Sequence, residues 1–484
     1  METEFKCKST NCYTKVFHKL HRCECGNECV VPDVQQDISR ILTSSFITKI
    51  RNKDAEYGHI SVKGELLATV VYTSENGVEK LEMSVPFDAE IQADDIDSTS
   101  LINADIRLEA YDLRVVNPRK ISLTATISMD VTAYKGDELV WYELAEDIPE
   151  CLMTKVESTD ILYAATVSEK TFVVDEEFEI ADGENAKLLT GSSEFICDGF
   201  ENVGEKLIVR GKGQIKCLYC VGEKLRSAEF DVPFSQLFEV NSEKSTVNDI
   251  SFFSTGEYYD ISDGRLFAEL HGVIQLVSKE TKHISYVADA FSCRGDLDIE
   301  YADLKATHRE SDESFSDSLL LAYEAGEDVS EILFVNSRIQ RLEIRDKEIQ
   351  VHVSADIVYE TASGEIISKK LHGSEQFDTS QIALTENASA VISDSRASAL
   401  GSKIEFRATV KLHAKSCDAD EIHMISKVTE GDGQVTPVSA VYLVRNDADI
   451  WSIAKKYKSD PRIIAELNEL DEENKRGLII VPVV

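Results

Sequence analysis

Basic charge is what this chain most lacks: 51 Lys and Arg stand against 88 Asp and Glu, a net charge of −37. Nucleic acid or an anionic membrane would repel such a surface, so neither is expected as the main partner. A basic surface or another protein suits it better. Long apolar runs are missing too, and no stretch approaches the ~18 residues needed to span a bilayer. The opening METEFKCKST has no apolar core and does not read as a signal peptide. Cysteines number 11, an odd and scattered set that argues against a disulfide framework. Reduced thiols in a cytosol are the expectation. No Walker A, H-E-x-x-H or G-x-S-x-G signature occurs, so no enzyme is expected.

What the chain does contain is size, ordinary apolar content and self-similarity. Its 484 residues exceed a single core, and three or four domains are expected. The stretch Val62–Phe87 recurs without a gap at Val209–Phe234. Gly64 aligns with Gly211, Tyr72 with Tyr219, and Val85-Pro86-Phe87 with Val232-Pro233-Phe234. The same offset places Arg40-Ile41-Leu42-Thr43-Ser44-Ser45 on Lys187-Leu188-Leu189-Thr190-Gly191-Ser192. A register held this long implies a duplicated domain. A looser third copy starts near Leu333, with Ile349–Tyr359 replacing the Gly-to-Tyr segment and Phe377 replacing the Pro-Phe.

Period-two alternation dominates these copies. Ile404, Phe406, Ala408, Val410 and Leu412 alternate with charged or polar neighbours, as do Ile121, Leu123, Ala125, Ile127, Met129 and Val131. Strands with one buried face result, so the fold class is mainly β: tandem antiparallel, sandwich-like units. The acidic stretches Asp137–Glu157, Ala306–Asp317 and Ser416–Gln434 read as joints between units, with Gly431-Asp432-Gly433 as a hinge.

Residues 1–29 hold Cys7, Cys12, Cys23, Cys25 and Cys29, with His18 and His21 between them. Zinc needs four S or N ligands placed tetrahedrally, yet C-x-C-x3-C matches no common zinc module. Free thiols in a short strand and loop are expected there, with a metal site as the alternative. Cys217 and Cys220 have C-x-x-C spacing, but in a strand they face opposite sides. Gly211-Lys212-Gly213 reads as close backbone packing rather than a phosphate loop. His271, His283, His308 and His413 stand singly and read as satisfied or exposed side chains. Asn387-Ala388-Ser389 is a glycosylation sequon without an export route.

The last 43 residues, from Tyr442, change character. They carry a net charge of only −1, which leaves −36 on the rest. Ile450, Ile453, Ala454 and Tyr457 fall at helical spacing. Asp460 caps a second helix that begins at Pro461, with Ile463, Ile464 and Leu467 as its expected buried face. Short strands at Tyr442-Leu443-Val444 and Leu478–Pro482 complete a β-α-α-β order. Ile453 is expected in the core of this small unit, whereas Trp451, beside the stripe, suits either core packing or a partly exposed interface.

Tyr442, Val444, Ile450–Tyr457, Asn468, Gly477 and Ile480-Val481-Pro482 together resemble a LysM domain. That family usually has Gly-Asp-Thr in the first loop, where this chain has Asp447-Ala448-Asp449, a departure that disfavours its N-acetylglucosamine groove. The V-V-P-D leading stretch at Val30–Asp33, the G…Y…VPF blocks and the closing alternating strands resemble SPOCS domains of sporulation proteins. SPOCS copies followed by one LysM domain is the layout of SipL-type spore coat morphogenetic proteins.

The resemblance implies a cysteine-containing segment at 1–29, SPOCS-like domains at 30–140, 158–295 and 318–428, and a LysM domain at 440–484. It further implies a non-enzymatic adaptor without cofactor in the mother-cell cytosol, at the forespore surface. Its partners would be the coat morphogenetic ATPase, bound through the tail, and other coat proteins, with self-association through the copies. Candidate partner-binding residues are Asp447, Asp449, Ile450, Trp451, Lys455, Asn468 and Leu470. Peptidoglycan binding by the tail is the alternative function.

Overall fold

The computed structural model describes residues 2–240, 245–345, 347–380, 387–431, 440–444, 449–469 and 477–482. Period-two alternation becomes strand almost throughout. The first unit contains β1 (Glu2–Glu4), β2 (Lys6–Val30), β3 (Arg40–Glu56), β4 (His59–Ser74), β5 (Gly77–Gln92), β6 (Leu101–Asn117) and β7 (Lys120–Glu143). A second contains β8 (Leu152–Glu179), β9 (Ala186–Val203), β10 (Lys206–Val221), β11 (Lys224–Glu239), β12 (Ser245–Ser262) and β13 (Arg265–Ser292). A third contains β14 (Leu297–Glu324), β15 (Val329–Arg345), β16 (Glu348–Thr361), β17 (Ile366–Asp378), β18 (Asn387–Leu400) and β19 (Lys403–Glu430). The same succession thus occurs three times: a long strand, a three-stranded meander, an edge strand and a long returning strand. All pairings are antiparallel, and each meander forms its own sheet.

Within the first unit the meander lies over β2, β7 and β6, and the buried faces interleave. Ile60, Val62 and Leu66 of β4 meet Ile121, Leu123, Ile127, Met129 and Val131 of β7, and all eight are fully buried. Ile404, Phe406, Ala408, Val410 and Leu412 do the same in the third unit. The alternation read from the sequence is therefore the core face of β7 and β19.

The paired glycine and phenylalanine have a steric cause. Gly64 lies opposite Phe87 across the β4–β5 ladder, and Gly211 lies opposite Phe234 across β10–β11. A Cβ on Gly211 would stand 2.5 Å from the Ile196 carbonyl oxygen and 2.7 Å from Phe234 Cζ. Only a glycine lets the ring lie across the strand. Pro86 and Pro233 sit on β5 and β11, the outer strands of their meanders, where a missing N–H breaks no ladder. In the third unit Val351 stands at the position of Gly64 and Gly211, and Phe377 instead faces Ile349, two places along.

The acidic stretches expected to be joints are largely strands; only 144–151 is a connection, between β7 and β8, and the expected hinge residues Asp432 and Gly433 lie outside the described residues. Residues 137–143 lie in β7, 152–157 in β8, 306–317 in β14, and 416–430 in β19. Strands of 28 residues such as β8, β13, β14 and β19 far exceed the common 3–10. Each serves twice, one half in its unit and the other in a two-stranded leg. The legs pack on one another through Trp141, Ile161, Ile284, Ala306, Ile422 and Met424. Exposure on the outer face makes them polar enough to read as linkers. The N-terminal cysteine stretch is likewise strand β2, paired with β7 from Lys6↔Glu143 to Val30↔Lys120.

At the other end the three meanders meet on one apolar axis. Leu42 and Val71, Leu189 and Leu218, and Leu333, Phe334 and Val358 form one buried cluster. Ion pairs rim it: Arg40 with Glu365 at 3.0 Å, Lys187 with Glu79 at 3.1 Å, and Arg226 with Glu331 at 3.6 Å. Arg40, Lys187 and Glu331 hold one register position, opposite the residue that follows Tyr72, Tyr219 or Tyr359. The third contact therefore has its charges exchanged. Running the units in the opposite cyclic order would set Arg40 against Arg226 and Glu331 against Glu79. Each exposed pair contributes at most ~1 kcal/mol, so the charges select the order while the axis supplies the adhesion.

Gly211→Ala should lower the unfolding midpoint in urea by an amount matching ~1–3 kcal/mol, the usual cost of overpacking. Gly256→Ala, where the nearest atom to the new Cβ is 3.9 Å away, should leave the midpoint unchanged. Equal shifts for the two variants would contradict the close-approach account.

Candidate partner-binding face

The tail comprises β20 (Ala440–Val444), α1 (Ile450–Tyr457), α2 (Pro461–Leu467) and β21 (Gly477–Val481), with β20 antiparallel to β21. Asp449 caps α1, accepting from the Trp451 amide at 3.1 Å and the Ser452 hydroxyl at 2.5 Å. Asp460 caps α2 through the Arg462 amide at 2.8 Å, with Pro461 at the first helical position. Both caps satisfy amides that the first turn leaves without helical partners.

The tail shares its described core with the second unit. Ile453, Ala454, Ile464, Ile479 and Val481 pack with Met153 of β8, and with Phe291 and Cys293 at the end of the β13 leg. Asp289 completes the contact. Its carboxylate accepts from Trp451 Nε1 at 2.7 Å and from Lys455 Nζ at 2.6 Å. The Phe291 ring stands edge-on to Trp451, with centroids 5.0 Å apart. Lys458 adds the Gly295 carbonyl at 3.2 Å and Asp296 at 3.1 Å. A register shift between Val287 and Asp289 interrupts the alternation of β13 at this point. Such irregularities re-aim side chains.

Of the residues expected to bind a partner, Trp451 and Lys455 are thus engaged with the second unit, and Ile450 is half-buried beside them. Asp449 is a helix cap. Asn468 pins α2 to β21: its amide nitrogen donates to the Ile464 and Ile480 carbonyls, and its oxygen accepts from the Ile480 amide at 2.7 Å. Asp447 and Leu470 lie outside the described residues. Only Ile464 of the expected apolar face of α2 is buried; Ile463 is 42% and Leu467 52% exposed. Two turns of helix bury one narrow stripe against α1 and β21, and these two residues fall outside it.

Burial alone would raise the Asp289 carboxyl. The hydrogen bonds from Lys455 and Trp451 outweigh it and hold the group below the usual carboxylate range. Nothing in the tail's own pattern points to Asp289 or Phe291. The only sequence sign was the break in alternation through Val287-Ala288-Asp289.

The cysteines make no comparable site. Cys23, Cys25 and Cys29 share one side of β2 against the first core, and burial pushes the Cys25 thiol up to about 11. Cys7 and Cys12 lie far along the same extended strand, at ~3.3 Å per residue. Among the described residues no group of three or more His, Cys, Asp or Glu side chains could hold a metal. Cys217 and Cys220 face different clusters, one in the second unit and one on the axis.

Fold and tail together define a mainly β protein with a small helical unit clasped to one leg. No helix among the described residues is long and apolar enough to cross a membrane. Residues 37–116, from the turn before β3 to the end of β6, match the family described as "SipL, SPOCS domain". That segment is similar to SPOCS domains, which supports a SipL-type family and a sporulation setting. No curated protein and no solved structure matches the chain.

A carboxylate with a lowered pKa stabilises above its ordinary range and loses that contribution as pH falls through the lowered value. In a Trp141→Phe background, where Trp451 is the sole tryptophan, its emission should hold from pH 7 to about pH 4 and shift to the red below that. Asp289→Asn should show the shifted emission already at pH 7. An acid shift that persists unchanged in Asp289→Asn would contradict the assignment.

Proposed function

We propose that this protein is a non-enzymatic scaffold in spore coat assembly, working in the mother cell at the forespore surface. The SPOCS-type match over residues 37–116 is the observation that carries the reading. The three units supply a wide acidic surface suited to other coat proteins and to further copies of the chain. The tail supplies the docking function for the coat morphogenetic ATPase, through the face built on Trp451 and Lys455. Its near-neutral charge on an otherwise strongly acidic chain supports that division of labour.

The test is capture of the purified coat ATPase by the full chain and by a chain lacking residues 440–484, run beside insoluble peptidoglycan. The full chain should retain the ATPase and stay out of the peptidoglycan pellet, and the shortened chain should retain nothing. Pelleting with peptidoglycan and no capture of the ATPase would overturn the adaptor in favour of a cell-wall protein.

A further inference from the structure

The residues that suit the tail for a partner are the residues that hold Asp289. One carboxylate takes both an indole N–H and an ammonium, and an aromatic ring two positions along the strand meets the same indole. Charge-assisted donors on a shared acceptor, set beside an edge-on ring, form the kind of contact that recognition faces use. The surroundings are complementary in charge. Lys455 and Lys458 of the tail meet Asp289 and Asp296 of the second unit. The contact is open at the side, since Lys455 is 43% and Asp289 25% exposed, so a competing carboxylate has a way in.

We propose that Asp289 and Phe291 are an internal stand-in for the partner of the tail. The face on α1 then takes an extended, acidic segment of another protein that carries a carboxylate and, two residues on, an aromatic ring. This rests on the reading of the tail as a partner-binding unit and adds the chemistry of what it binds. It also adds a gate, because the same face cannot hold both segments. Gly431 and Ala440 are only nine residues apart in sequence, so the internal segment competes at high effective concentration. A partner captures the tail either by exceeding that concentration or after the leg end has moved away. The competition lowers apparent affinity by the fraction of tails left open.

The probe is a fluorescent peptide with this chain's own sequence from Ser285 to Gly295, with Cys293 replaced by serine. Its binding to the full chain is read by anisotropy, with Asp289→Lys as the opened variant and Asp289→Asn as the milder one. Emission of Trp451 in a Trp141→Phe background reports opening, and far-UV dichroism reports the β fold. Asp289→Lys should bind the peptide at least tenfold more tightly than the native chain, with Asp289→Asn between them. Replacing the peptide's own aspartate by alanine should abolish the gain. Equal binding by all chains, no binding by an opened and folded variant, or indifference to the peptide's aspartate would overturn the proposal. The adaptor reading fails separately if the opened variant takes up the peptide but captures no coat ATPase.

Discussion

The apolar axis where the three meanders meet is the constraint on which the rest depends. Leu42, Leu189 and Leu218 on that axis are buried in one cluster with side chains of all three units. One unit alone would expose this face to water at ~25 cal/mol per Å² of apolar area. The axis brings the units together at one end, so their long strands converge as legs at the other. The legs have their own core around Trp141 and Met424, and β1 pairs with β19 across the return of the chain. The end of the β13 leg, and with it Asp289, is positioned by this frame before the tail contributes anything.

Three similar units in one chain raise a problem of order, since similar faces can pair wrongly. The exchanged ion pair at Arg226 and Glu331 answers it with little energy, because adhesion is already supplied and only discrimination is needed. The tail follows the opposite logic. Five of its described apolar residues are buried, and they share one cluster with Met153, Phe291 and Cys293 of the second unit. A small unit that shares a cluster with its neighbour's side chains is held to it, and this sharing puts Trp451 and Lys455 against the leg.

Much of this was legible in the sequence where the signal is local. Alternation marked the core faces of β7 and β19, and the recurrence of Gly64 and Phe87 marked the duplication, though not their contact across one ladder. The cap at Asp460 marked the start of α2, whereas Asp449 was read as a partner-binding residue and not as the cap of α1. Contacts between distant segments left little trace. The legs alternate weakly because much of their surface is solvated, so 137–157 and 306–317 read as joints. The axis needs Leu42, Leu189 and Leu333 to be seen together, and each is unremarkable alone. Ile463 and Leu467 looked buried because helical spacing gives the face of a helix but not the width of what covers it. Trp451 and Lys455 were singled out in the sequence; their contact within the chain, 162 residues from Trp451, was not.

The central claim is that α1 and the β13 leg are joined through one carboxylate. Amide hydrogen exchange over Ile450–Tyr457 in Asp289→Ala, Lys455→Ala and the double variant tests it most directly. The account predicts faster exchange in each single variant, the smaller change in Lys455→Ala because the Trp451 bond to Asp289 remains, and no increase in the double beyond Asp289→Ala, which already removes both bonds. Additive increases, or protection unchanged in all three, would contradict it.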